Sequence, residues 1–153
     1  MEAQAIIPPA RRNYSIGFRK GARMKTKNVK TEAGSFPKFA LHQGLPPKDR
    51  KRWQVLCGDR NHWRVGLYSP PEASNAKVKQ LETHTCVELF LLLSGKVTLI
   101  LDEGQGEYEL PLEPMKPVMV SGWHCGFCPD GPYTGVAMVV ERDRFSTALR
   151  DRV

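Results

Sequence analysis

The sequence predicts an all-β domain built as an antiparallel sandwich or barrel. Three observations lead to this prediction: short strand-like runs follow one another along the second half of the chain, turn residues divide them, and no helical period lies between them. The clearest turns are Ser94-Gly95, 104–106 and 129–132, which are rich in Gly, Pro, Asp and Ser. The predicted strands are, in order, 78–85, 87–93, 96–102, 107–112, 117–120, 123–128 and 134–141.

A β-hairpin is predicted before these strands. Residues 53–57 (WQVLC) and 62–68 (HWRVGLY) are separated by four residues whose composition is typical of a hairpin turn. Pro70 ends the second run, because proline lacks the backbone donor that a ladder needs. We expect His62, beside the turn, to be a solvated residue. After the last strand, residues 143–153 are expected to form a short C-terminal helix.

The charge of the chain is concentrated at its start. Residues 1–52 hold 13 Lys or Arg and three acids, a charge of +10, whereas the remaining residues hold 10 bases and 13 acids, a charge of −3. Residues 11–30 contain eight bases, no acid and no sustained apolar period. The sequence therefore predicts two parts, an irregular basic N-terminal arm over 1–50 and a β-domain over 51–153.

Composition also bears on location. No stretch approaches the roughly 20 apolar residues that a membrane span needs, and the first residues lack the apolar region of a signal peptide. We expect a cytoplasmic protein that does not enter the membrane, with reduced cysteines. The four cysteines are Cys57, Cys86, Cys125 and Cys128.

Candidate site residues cluster in the stretch ETHTCVELFLLLSG, residues 82–95. If the strand alternates strictly, Glu82, His84, Cys86 and Glu88 point to one face. Burying such groups without partners would be costly, since unpaired carboxylates lose their hydration. A ligand, a metal ion or solvent should therefore meet this face.

The same stretch resembles the first motif of the cupin superfamily, in which His-any-His is followed by Glu after three or four residues and by Gly six residues later. His84 matches the second histidine, Glu88 the glutamate and Gly95 the glycine, while Glu82 replaces the first histidine. His124 in SGWHC resembles the histidine of the second cupin motif, although the proline of that motif is absent. The resemblance covers residues 50–142 and implies a small single-domain cupin, with a cupin-like antiparallel β-barrel (jelly roll).

These residues indicate a metal centre. Two imidazoles and a carboxylate form a ligand set suited to a divalent transition metal, so we expect His84, Glu88 and His124 to hold one Fe, Mn, Ni or Zn ion. Glu82 is expected to act as a catalytic general base or as a fourth ligand. The alternative for His84 and Glu88 is a buried hydrogen-bonded pair without metal.

The resemblance implies a metal-dependent protein acting on a small polar metabolite, such as a sugar derivative, a carboxylic acid or an amino-acid-like compound. Cupins include isomerases, epimerases, lyases and dioxygenases, and the fold alone does not select among them. A non-catalytic sensor that binds a small ligand is a second hypothesis. A third is a nucleic-acid-binding protein that uses the basic arm, whose Lys and Arg could contact phosphates. We also expect a homodimer in which the segment before Trp53 lies against the partner.

The pair Cys125 and Cys128 forms the sequence CGFC, which superficially resembles a redox motif. Such a motif requires a following helix whose N-terminus lowers the thiol pKa, and no helix is predicted here. We therefore expect these two thiols to line the core or the pocket. Alternation places Cys86 on the pocket face, within reach of metal or substrate, and Trp123 on the side opposite His124.

Overall fold

The structure is a computed structural model that describes residues 25–28, by their backbone alone, and residues 51–152. The described elements are β-strands and one turn of 3₁₀ helix at Asn75–Lys77. The strands are β1 (Lys25–Asn28), β2 (Trp53–Asp59), β3 (Trp63–Tyr68), β4 (Gln80–His84), β5 (Glu88–Ser94), β6 (Thr98–Asp102), β7 (Glu107–Pro111), β8 (Val118–Val120), β9 (Trp123–Phe127), β10 (Val136–Arg142) and β11 (Ser146–Asp151). The predicted all-β class is confirmed.

The strands form two antiparallel sheets. One sheet has six strands in the order β1-β11-β4-β9-β6-β7, and the other has five in the order β2-β3-β10-β5-β8. From β4 onward the chain passes from one sheet to the other at nearly every connection, and only β6 and β7 follow each other within a sheet. Residues close in sequence, such as the end of β4 and the start of β5, therefore lie in different sheets.

The main core lies between the sheets, where each strand presents every second side chain. On β10 the buried positions are Ala137, Val139 and Glu141. Leu99 and Leu101 of β6 contribute to the core from the opposite sheet, and Leu99 is fully buried. The other buried members are Tyr68, Phe90, Leu92, Val97, Leu112, Val120 and Cys128.

A smaller apolar cluster lies on the other face of the six-stranded sheet. Ile100 alternates with Leu99 and Leu101, is paired with Cys125 and packs with Leu81. Trp123 contacts this cluster, as expected for a side chain that points away from His124. Both Cys125 and Cys128 are buried free thiols, in agreement with a core position for each.

The predicted C-terminal helix is wrong. Residues 146–151 instead form β11, which pairs with β4 through Thr147↔His84, Leu149↔Glu82 and Asp151↔Gln80. A run such as STALRD has only a weak local preference for helix or strand, and pairing with β4 determines its conformation.

Four residues of the basic arm also form a strand that the sequence did not predict. β1 lies at the edge of the six-stranded sheet and pairs with β11 of the same chain, with Lys25 opposite Leu149. The rest of the predicted arm, 1–24 and 29–50, lies outside the described residues. Within the described ranges, no helix is long and apolar enough to cross a membrane.

Candidate metal centre

Four side chains predicted from the sequence meet between the two sheets. Glu82 and His84 lie on β4, two positions apart, so both point to the same side of the sheet. His124 lies on the adjacent β9 and is the residue paired with Glu82. Glu88 begins β5 of the opposite sheet. The structure therefore brings these residues together from three strands and both sheets.

Glu88 lies on a different strand from Glu82 and His84, whereas the sequence predicted one continuous strand. The expected alternation along one strand from 82 to 88 is wrong, because β4 ends at His84 and the chain turns before β5 begins. Cys86 lies in this turn and is half-buried, and it is not among the residues that line the cavity described below. The expected contact of Cys86 with the pocket is therefore not found in this part of the chain.

The two histidines converge on one carboxylate oxygen. Nε2 of His124 lies 2.7 Å from Oε2 of Glu88, and Nε2 of His84 lies 3.6 Å from the same oxygen. All three side chains are less than a tenth exposed. The separation of 3.6 Å between His84 and Glu88 is longer than a hydrogen bond.

The opposite nitrogen of each imidazole is fixed by a hydrogen bond. Nδ1 of His124 donates to the backbone oxygen of Gly122 at 3.0 Å. Nδ1 of His84 is hydrogen-bonded to Oγ1 of Thr147 on β11 at 2.9 Å. Such bonds orient a metal-binding histidine and leave its other nitrogen as the ligand atom. Both Nε2 atoms are therefore held toward Glu88.

Oε2 of Glu88 is buried and has no hydrogen-bond partner among the described residues. The nearer of the two imidazole nitrogens, Nε2 of His124, lies 2.7 Å from it. A buried carboxylate oxygen without a partner is costly, and one beside two imidazole nitrogens is what a bound cation would satisfy. The residues present thus fit a divalent transition metal ion.

The electrostatics favour the ionised carboxylate and one neutral imidazole. Burial raises the pKa of Glu88, but the adjacent His124 and His84 outweigh burial and hold the pKa below its ordinary value. Burial lowers the pKa of His84 despite the nearby Glu88, so this imidazole is neutral at physiological pH. Burial lowers the pKa of His124 as well, but contact with Glu88 outweighs it and raises the pKa. A metal ion would compete with the proton on His124.

Two further buried residues at this site were missed by the sequence analysis. Glu141 of β10 and Arg64 of β3 form an ion pair, in which Nε of Arg64 donates to Oε1 of Glu141 at 2.6 Å. Glu141 continues the buried alternation of Ala137 and Val139, but the sequence does not show that it lies beside Arg64. Burial and the neighbouring Glu88 raise the pKa of Glu141 to about 8, against the opposing effect of Arg64.

Glu141 extends the set of side chains that could bind a metal ion. Two overlapping groups each place one ligand atom per residue within 4.8 Å of one another: Glu82, His84 and His124 in one, and His84, Glu88 and Glu141 in the other. His84 belongs to both groups. The centre therefore offers three carboxylates and two imidazoles, more than a single ion requires.

A cavity of about 320 Å³ opens onto these groups. One part of its wall is aromatic or aliphatic and the other carries the charged side chains. The residues that line it are Arg52, Trp53, Arg64, Tyr68, Glu82, His84, Glu88, Phe90, His124, Val139, Glu141, Phe145, Thr147 and Leu149. Such a wall accommodates a small molecule with both polar and apolar parts.

A second cavity, of about 410 Å³, adjoins the first and shares Arg52, Glu82 and Leu149 with it. Cys125 lines this second cavity, and Nη1 of Arg52 lies 3.5 Å from its sulfur. Burial raises the pKa of the Cys125 thiol despite the nearby Arg52, which keeps the thiol protonated. The CGFC cysteines thus have no feature of a reactive pair.

Comparisons with known proteins find solved structures that are similar to the chain. The sequence matches no family model and no curated protein. Solved structures similar to the chain include hydroxypropylphosphonic acid epoxidase from S. wedmorenis in complex with fosfomycin, with a TM-score of 0.46 and 14% identity over 59% of this chain. The chain spans about half the length of that enzyme, 49%.

Cupin proteins are among the other structural neighbours. A cupin 2 domain-containing protein from Halorhodospira halophila has a TM-score of 0.47 and 14% identity, covering 83% of this chain and 78% of its own. A cupin-2 domain-containing protein from Shewanella frigidimarina has a TM-score of 0.44 and 12% identity, covering 71% of this chain and 88% of its own. The chemical properties of the candidate metal centre are therefore inferred from the residues of this chain alone.

Proposed function

We propose that this chain is a cupin-type metal-binding protein in which His84, Glu88 and His124 hold one divalent transition metal ion. The observation that carries the proposal is the buried Oε2 of Glu88, which lacks a hydrogen-bond partner among the described residues and lies beside two oriented imidazole nitrogens. Fe, Mn, Ni and Zn all accept such a mixed nitrogen and oxygen set, so the donor atoms do not select one of them.

The chain is further proposed to be an enzyme acting on a small polar metabolite. A bound metal ion would supply Lewis-acid polarisation of a substrate oxygen and keep positions open for it. Glu82 lies within 4.8 Å of the ligand atoms of His84 and His124, where its carboxylate can take up or return a proton of the bound molecule. The cavity is small for a ligand site, which typically measures roughly 300–1,000 Å³, and this size restricts the substrate.

Metal content tests the centre directly. Purified full-length protein should contain close to one transition metal ion per chain by elemental analysis, and His84→Ala with His124→Ala should lose it. His62→Ala is the matched control, because His62 is exposed beside the β2–β3 turn and should leave metal content unchanged. Wild-type metal content in the double variant would contradict the ligand assignment.

A cytoplasmic location and a homodimer complete the proposal. The described cysteines are all free, which supports a reducing compartment. β1 lies at a sheet edge, where a strand from another copy could pair in its place. Light scattering should give twice the chain mass, and removal of residues 1–30 should weaken the dimer. A monomer at micromolar concentration, unaffected by that truncation, would contradict the assembly.

A further inference from the structure

We infer that Arg64 forms an anion-binding subsite beside the proposed metal centre, and that the ligand of the cavity is a small carboxylic acid. This inference rests on the proposed function and names the substrate class for the same cavity. The guanidinium of Arg64 lines the cavity and uses its Nε in a hydrogen bond to Glu141.

Arg64 is buried, with 7% of its side chain exposed, yet it makes a single hydrogen bond within residues 51–152. That bond runs from Nε to Glu141, and the two terminal amino groups have no acceptor there. A guanidinium carries five N–H donors, four of them on these terminal groups. These terminal groups keep contact with the open space of the cavity that Arg64 lines, so an acceptor that enters the cavity can bind them.

The guanidinium of Arg64 is also held in place by two aromatic rings of the cavity wall. Its Cζ lies 4.8 Å from the ring centroid of Phe145 and 5.5 Å from that of Trp53. A planar fork fixed in this way loses little further freedom when it binds an oxyanion. Arg52, the other arginine of the wall, is engaged by Glu72 and Cys125, so it is less available than Arg64.

The position of Arg64 places the bound anion next to the metal-competent groups. Its partner Glu141 has a carboxylate oxygen within 4.8 Å of the ligand atoms of His84 and Glu88. A molecule whose acid group lies on Arg64 can therefore extend toward the metal centre with its remaining polar atoms. Its apolar part would contact the aromatic wall.

A carboxylate suits this subsite better than a phosphate group. Carboxylate and phosphate groups both match the fork of a guanidinium, so their charge and size distinguish them. The cavity also contains the carboxylates of Glu82 and Glu88, which would repel a dianion more strongly than a monoanion. The small volume favours a compact acid with one short apolar part.

The test compares benzoate with benzamide, two probes of nearly equal shape that differ in charge. Each is titrated calorimetrically into full-length protein whose metal content has been measured. Benzoate should bind more tightly by about tenfold or more, which corresponds to one charge-assisted hydrogen-bonded pair. Arg64→Met should abolish this preference, and Arg64→Lys should retain part of it. Arg150→Met is the control, because Arg150 contacts Asp102 and Trp123 outside the cavity.

Equal binding of the two probes to wild-type protein, or no binding of benzoate at millimolar concentration, would overturn the inference. Preference for phenylphosphonate over benzoate would overturn the choice of a carboxylate. If Arg64→Met does not fold, the comparison of the two probes in wild-type protein and in Arg64→Lys still tests the inference. An Arg64-dependent preference in protein that binds no metal would support the anion subsite and reject the metal centre. Bound metal together with equal binding of the two probes would support the metal centre and reject the anion subsite.

Discussion

The space between the two sheets has an apolar end and a polar end, and single strands run through both. Along β10 the inward residues are Ala137, Val139 and Glu141, with exposed fractions of 0%, 1% and 5%. β5 shows the same change, from Leu92 in the core to Glu88 in the site. Burial is nearly constant along these faces while the chemistry changes completely. The extent of burial thus does not distinguish core from site here; residue type does.

The two ends differ in how they affect stability. Apolar side chains between the sheets stabilise the fold in proportion to the area that they remove from water. At the polar end, desolvation opposes folding and is offset only where partners exist, as in the pair of Arg64 and Glu141. Oε2 of Glu88 has no such partner among the described residues. We therefore expect stability to depend mainly on the apolar end and ligand binding on the polar one.

The largest effect is expected from a cavity at the apolar end. Leu99→Ala should lower the free energy of unfolding by about 2–5 kcal/mol, because Leu99 is fully buried and its neighbours cannot fill the space. Denaturant unfolding measures this loss. The metal content of the folded variant should equal that of the wild type. Loss of metal from the folded variant under native conditions would show that metal binding at the polar end depends on packing at the apolar end.

A matched change at the polar end should cost less. Glu141→Gln preserves the shape of the side chain and an oxygen that can accept from Nε of Arg64. The free energy of unfolding should change by less than it does in Leu99→Ala, because no volume is removed. A loss as large as that of Leu99→Ala would mean that the charge of Glu141 contributes as much as the core.

The smallest effect concerns a polar pair outside the space between the sheets. Burial raises the pKa of Asp102, but its hydrogen bond from Arg150 outweighs burial and holds the pKa below the ordinary value of 3.8. The pair therefore stabilises the fold above that pH, and this contribution, about 1 kcal/mol at most, is lost as the pH falls through the lowered pKa. Unfolding of Asp102→Asn and wild type should differ near neutral pH and converge in acid. If the difference in unfolding free energy between the two proteins grew in acid, the pair of Asp102 and Arg150 would not stabilise the fold in the way expected here.

Much of the site was predictable because its residues lie in one short stretch with a recognisable spacing. Glu82, His84 and Glu88 could be chosen from their residue types and intervals, and His124 from its resemblance to a second motif. The strict alternation along one strand that the sequence predicts for residues 82–88 is nevertheless wrong. They meet because the chain crosses between sheets after His84, and a pattern of alternation cannot show a turn that changes sheet.

What the sequence did not predict depends on contacts between distant segments. Arg64 and Glu141 lie in mainly apolar runs on separate strands, and the pairing of β3 with β10 brings them together. The sequence of β11 has only a weak local preference between helix and strand, and its pairing with β4 fixes it as a strand. The overall class was easier, since turns and short apolar runs are local signals.

The hydrogen bond between His84 and Thr147 also determines when the site can form during folding. It joins residues 63 positions apart, and the pair of Arg64 and Glu141 joins residues 77 positions apart. Loops of this length must close before such contacts form, and domains dominated by them fold in about milliseconds to seconds. On a ribosome, the histidine would emerge well before the threonine that orients it, so metal capture by the completed site must wait until β11 has been synthesised.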